Sequence, residues 1–142
     1  MKQKYIDLYM DWARRCAELS HARRLHVGAV VVKDDTVISY GYNGMPAGWD
    51  NNCEDVIQHS DDTVTLKTKP EVLHAESNAI AKLAKSNNSG LGASIFVTHS
   101  PCMECSKLIA QSGISNVYYN ENYRDDTGIQ FLRKSGVEVT KV

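Results

Sequence analysis

No apolar run in this chain approaches the roughly 20 residues that a membrane-spanning helix needs, so a membrane partner is not expected. The apolar N-terminal region of a secretory signal is also missing, which points to a cytoplasmic, reducing setting. Surplus charge is absent too: 16 Lys and Arg against 17 Asp and Glu leave a net charge of -1 with histidines neutral. That balance offers no general attraction for long nucleic acid. It still permits a local cationic pocket for one phosphate group. Cysteine is scarce, four in 142 residues. A chain of this length buries a core without disulfides and fits one domain spanning 1–142. There is no repeat and no low-complexity tract.

Taken in order, the segment from about Tyr5 to Leu19 reads as an amphipathic helix with Ile6, Met10, Ala13, Ala17 and Leu19 on one face. Cys16 within it reads as a small buried hydrophobe. Ser20 to His26 is polar and basic. Val27–Val32 and Val37–Tyr42 read as a hairpin across the polar turn Lys33-Asp34-Asp35-Thr36. Gly41 to Gly48 then holds three glycines and a proline, a composition suited to positive φ and to close approach of backbone to a ligand. Trp49 to Lys69 reads as a long connection with little periodicity, and such loops are often functional. Helices are expected over about Ala75–Lys85, Cys102–Gln111 and Asp126–Lys134, and strands over Ala93–His99, Val117–Tyr119 and Val137–Val142. The order α-β-β-α-β-α-β-α-β predicts an α/β fold: a three-layer α/β/α domain with a five-stranded mixed sheet.

Two stretches carry the chemistry. Leu73-His74-Ala75-Glu76 opens one helix, and Ser100-Pro101-Cys102-Met103-Glu104-Cys105 opens another. His74, Cys102 and Cys105 are ligands suited to a tetrahedral zinc, and three protein ligands leave a fourth position for water. Both stretches stand at helix N-termini, whose dipoles favour thiolate and hydroxide. Glu76 lies beside the metal set without needing to bind it, placed to move a proton as general base and then acid. Backbone at Ala75 and Ser100 is placed to read a ring edge. A closed structural zinc in a binding module is the competing reading, and it has no use for Glu76. Cys16, Cys53 and His59, with His26, offer a second metal site only weakly, because no two of them share a short ligand spacing.

The pair H-x-E and P-C-x-x-C is the pattern of zinc-dependent deaminases. Together with Val27-Gly28-Ala29-Val30-Val31-Val32, Gly41-Tyr42-Asn43-Gly44-Met45-Pro46-Ala47-Gly48, Asn52-Cys53-Glu54 and His74-Ala75-Glu76-Ser77-Asn78-Ala79-Ile80, it resembles the cytidine and deoxycytidylate deaminases, and the deoxycytidylate branch in particular. The resemblance implies a cytidine-deaminase-like fold and hydrolysis of dCMP to dUMP and ammonia. It also implies a homohexamer activated by dCTP with Mg²⁺ and inhibited by dTTP. By the same resemblance Asn43 faces the substrate sugar, Tyr123 and Arg124 meet base and phosphate, and Gly44 and Met45 sit where substrate and effector sites join. Arg23 and Arg24 are candidate effector-phosphate ligands. The compact length is similar to virus-encoded members, for which the setting is the host cytoplasm. Enzymes acting on dCTP, a free nucleoside, a tRNA adenosine or a pterin-like or flavin-precursor ring are the alternatives, with tRNA disfavoured by the charge.

Overall fold

A computed structural model describes all residues, Met1–Val142. Helix α1 (Gln3–Ala17) leads into β1 (Gly28–Lys33) and β2 (Thr36–Tyr42). A hairpin of β3 (Glu54–Gln58) and β4 (Val64–Thr68) follows, then α2 (Ala75–Ala84), β5 (Ser94–His99), α3 (Met103–Gln111), β6 (Asn116–Glu121), α4 (Thr127–Lys134) and β7 (Glu138–Lys141). Five strands form one mixed sheet in the order β2-β1-β5-β6-β7. The pairs β1–β2 and β1–β5 are antiparallel, while β5–β6 and β6–β7 are parallel. Asp34 and Asp35, at φ 50° and 58°, make the two-residue turn of the first hairpin, the primed geometry that matches strand twist.

Alternation along the central strands sets the layers. Val30, Val32 and Phe96 pack on one face of the sheet with Ile6, Tyr9, Met10, Ala13 and Cys16 of α1. Ala29, Val31, Ile95, Val97 and Val117 pack on the other with residues of α2, α3 and α4. The expected three-layer α/β/α architecture is therefore present. Two details of α1 differ from the sequence reading. Leu19 lies beyond the helix and is 54% exposed, while Tyr9, not singled out beforehand, is buried and donates a hydrogen bond to the Asp35 carbonyl.

The larger correction is the stretch Trp49 to Lys69, which is not an unstructured connection. Its middle forms the β3–β4 hairpin, a separate two-stranded ribbon. Val56 and Val64 on one face are 60% exposed and Ile57 on the other is 38% exposed, so neither face of the ribbon is buried in the core. A lone hairpin is marginal in water. This one is anchored at its base, where the Lys69 amide donates to the Cys53 carbonyl at 2.8 Å and Glu54 is buried.

Topology gathers the functional segments at one end of the sheet. The C-terminal ends of β2, β5 and β6 and the N-terminal end of β1 all reach it, because β1 runs antiparallel to β5 and β6 runs parallel to it. Ligands collect beside strand ends of this kind in α/β sheets.

Candidate active site

His74 is the N-cap residue of α2 and Cys102 that of α3, both in extended backbone conformation. Neither side chain makes the usual cap hydrogen bond to its own helix. They turn toward each other instead. Nδ1 of His74 stands 3.6 Å from Sγ of Cys102 and 3.3 Å from Sγ of Cys105. Ligands on a tetrahedral zinc, with bonds of about 2.0–2.1 Å to nitrogen and 2.3 Å to sulfur, stand about 3.5 Å apart. The imidazole nitrogen thus holds zinc-ligand spacing to both sulfurs, and all three ligand atoms lie within 4.8 Å of one another. They are the one group of three or more potential metal-binding side chains in the chain, and no fourth protein ligand closes the set.

The weak second-metal expectation is not met. Cys16 is buried in the α1 core, His59 bonds Thr65 within the hairpin, and Cys53 is buried beside Asn51. They join no common group.

Charge follows the geometry. The hydrogen bonds from Cys105 and then from His74 hold the Cys102 thiol down to about 4. The bond to Cys102, with burial, pushes the Cys105 thiol up. The bond with Cys102 also raises the imidazole of His74. Glu76, in the first turn of α2, is only 4% exposed, and burial pushes its carboxyl above the usual range against the pull of nearby His74. A buried carboxyl with a raised pKa beside a metal set has the property a proton carrier needs.

The position of α2 depends on a glycine. A Cβ on Gly41 would come within 2.3 Å of the Ala75 carbonyl oxygen, so β2 and the start of α2 approach as closely as only glycine allows. Asn78 Nδ2 donates to the Tyr42 carbonyl, Ser39 Oγ donates to that of Ala79, and Gly44 pairs with Leu73 by two backbone hydrogen bonds. The glycine-rich loop thus braces the segment that presents His74.

These groups open into a cavity of about 640 Å³. Of the expected substrate residues, Asn43, Ser100, Tyr123 and Arg124 line it, together with His74, Glu76 and Cys102. Ala75 does not; it is fully buried in the core behind the wall. Asn43 is partly engaged, accepting from the Val27 amide through Oδ1 and donating to the Leu25 carbonyl through Nδ2, which leaves one N–H for a ligand. Ser100 Oγ accepts from the Tyr123 amide at 2.6 Å and ties the loop after β6 to the metal loop.

The residues expected at an effector site separate. Gly44, Met45 and Arg23 do not line the cavity, whereas Arg24 does. Sequence reasoning had no role for His99, Glu54 or Thr68, which also line it. Only the position of His99 just before Ser100-Pro101 and the acidic character of Asn52-Cys53-Glu54 could have marked two of them.

The family described as "Cytidine and deoxycytidylate deaminase zinc-binding region" matches residues 3–121. The chain belongs to this family. ComE operon protein 2 of Bacillus subtilis (strain 168) is 38% identical over 139 residues, which span 94% of this chain and 69% of the relative. Deoxycytidylate deaminase of Enterobacteria phage T4 is 36% identical, covering 82% of this chain and 78% of its own length. The crystal structure of dCMP deaminase from the cyanophage S-TIM5 in complex with dCMP and dUMP superposes with a TM-score of 0.89 at 43% identity, over 100% of this chain and 99% of that one. The deaminase fold is therefore shared along the full length, including α4 and β7, which lie beyond the family match.

Proposed function

We propose that this deaminase hydrolyses dCMP to dUMP and ammonia, the whole chain acting as one catalytic domain. One observation carries the reading. The cavity lined by His74 and Cys102, whose metal set Cys105 completes, and by a buried Glu76 also takes two arginines, Arg24 and Arg124, that have no carboxylate partner. Unpaired guanidinium groups match phosphate oxygens, and a cavity of about 640 Å³ is of the size that takes a small ligand. The cyanophage relative, solved with dCMP and dUMP, supports the same substrate.

His74, Cys102 and Cys105 would hold the zinc. Zinc bound there supplies a Lewis acid that brings the pKa of a water near 7. Glu76 accepts the proton of the attacking water, gives it to the ring nitrogen, and then helps ammonia leave. Burial keeps that carboxyl away from bulk water, so the proton it takes stays in the site. Ser100 holds Tyr123 and Arg124 over the cavity, with the Arg124 guanidinium 5.7 Å from the Tyr123 ring centre. In this reading Tyr123 offers an aromatic face to the base and Arg124 a cation to the phosphate, and their position in one loop lining the cavity supports it.

Regulation by dCTP with Mg²⁺ and by dTTP, in a homohexamer, belongs to the same proposal, with the Gly41–Gly48 loop as the element that links effector to His74. The test measures ammonia release from dCMP, dCTP, cytidine and deoxycytidine, each with and without dCTP–Mg²⁺ or dTTP–Mg²⁺. Turnover of dCMP that rises with dCTP and falls with dTTP is expected. Equal turnover of dCMP and deoxycytidine would sink the phosphate-reading site.

A further inference from the structure

We propose that Glu54 is a positioning residue: from the base of the β3–β4 hairpin it clamps the Arg23–Arg24 turn and so aims Arg24 at the substrate phosphate. The inference rests on the mononucleotide reading above. It concerns a carboxylate that the chemistry at zinc does not use.

Glu54 is 1% exposed and lines the cavity. A buried carboxylate is costly unless charge and hydrogen bonds compensate it, and beside a phosphate site it would also repel the ligand. Its surroundings show how the cost is offset. One oxygen, Oε2, accepts both successive amides of the turn, Arg23 N at 2.9 Å and Arg24 N at 3.0 Å. The other, Oε1, has no hydrogen-bond partner but lies 3.5 Å from Nε of Arg23. Burial pushes this carboxyl up, yet the amides of Arg24 and Arg23 and the Arg23 guanidinium outweigh it and hold it below the usual range.

Two adjacent arginines then have different tasks. Arg23 is spent inside the clamp: Nη2 donates to Asn52 Oδ1 at 3.0 Å and to the Glu54 carbonyl at 3.3 Å, while Nε faces Oε1. Its charge neutralises the carboxylate. Arg24 is held by its backbone amide and by one side-chain bond, Nη1 to Thr68 Oγ1 at 3.0 Å. Thr68 is the strand partner of Glu54 across the hairpin. Both anchors of Arg24 therefore come from the same rung of the ribbon. A guanidinium has five N–H donors, so most of those on Arg24 remain for an anion in the cavity. The hairpin, whose own faces are exposed, gains a role from this arrangement: its basal rung fixes a phosphate ligand contributed by a different segment.

The experiment uses the zinc-loaded full chain and compares wild type, Glu54→Gln, Thr68→Val and Arg24→Gln. For each, kcat and KM are measured with dCMP and with deoxycytidine. All three variants are expected to lower the ratio of kcat/KM for dCMP over deoxycytidine at least tenfold, chiefly through KM for dCMP. The Glu54→Gln/Arg24→Gln double variant is expected to lose little more than Arg24→Gln alone, since both act through one guanidinium. If both substrates lose kcat/KM in parallel, or the double variant shows additive losses, Glu54 is a structural residue only and the proposal is overturned. Should Glu54→Gln fail to fold, Thr68→Val carries the same test, because it removes the outer anchor and leaves the buried carboxylate in place. A wild-type enzyme without preference for dCMP would instead overturn the mononucleotide reading itself, and that outcome is visible before any variant is made.

Discussion

Two buried carboxylates in this deaminase show how environment assigns a role to one residue type. Glu76 lies beside the metal set, and burial raises its pKa against the pull of a backbone amide and of His74. Glu54 lies at the hairpin base among two amides and a guanidinium, and its pKa falls. The first environment suits a group that takes and returns a proton; the second suits a permanently charged anchor. Glu76→Gln keeps shape and size and removes only the proton chemistry. It is expected to retain zinc at wild-type stoichiometry by metal analysis while turnover falls about 10²–10⁴-fold, the usual worth of general acid–base catalysis. A variant that kept both zinc and turnover would mean that Glu76 is an ordinary first-turn helix residue and that the zinc is structural.

At the scale of elements, the site depends on where α2 and α3 begin, and much of this was legible in the sequence. His74 and Cys102 were readable as helix starts because apolar positions recur at helical spacing after each, and Pro101 ends the strand before the second. The core strands were readable because Val27–Val32 and Ile95–Val97 are apolar on both faces, as buried strands must be. The β3–β4 hairpin was not, for a physical reason. A ribbon with two exposed faces needs no alternation of apolar and polar residues, so Glu54–Gln58 carries no period to detect. Its return strand, Val64-Thr65-Leu66-Lys67-Thr68, does alternate after the turn-forming residues Ser60-Asp61-Asp62, and this was the available signal. That Arg24 lines the cavity was not legible for the same reason. Its cavity position is fixed by Glu54 and Thr68, two residues of an element the sequence does not announce. The brace between β2 and α2 gives the element-scale prediction. In Gly41→Ala the new methyl meets backbone, Ala75 O at 2.3 Å and Ala79 N at 2.8 Å, and no flexible side chain can give way. The start of α2 must shift. A loss of about 1–3 kcal/mol in unfolding free energy is expected, measured by urea titration. Activity is expected to fall about 10²-fold or more, because a shift near 1 Å at a catalytic residue has that effect. Full activity in Gly41→Ala would show that the close approach does not position the site.

For the molecule as a whole, the question is whether zinc builds the fold or only arms it. The apolar core gives the answer. One cluster of 15 buried residues joins α2, α3 and α4 to the sheet, and a second of 8 joins α1 to its other face. None of the three metal ligands belongs to either cluster. The ligands tie together only the first turns of α2 and α3, at one end of the sheet. Removing zinc should therefore leave both cores intact and release one cross-link between two helix starts. This differs from a zinc finger, where metal-binding free energy is the folding free energy. Binding to the native state alone at 100 times Kd contributes about 2.7 kcal/mol. At roughly 4 °C per kcal/mol for a chain of this size, that predicts a fall in Tm of about 10 °C on chelation. Far-UV circular dichroism at 25 °C should stay unchanged, activity should vanish, and both Tm and activity should return with added zinc. Loss of the far-UV signal on chelation would show that the metal is structural and that the two cores cannot hold the sheet together without it. An unchanged Tm would show that zinc does not bridge the two helices at all.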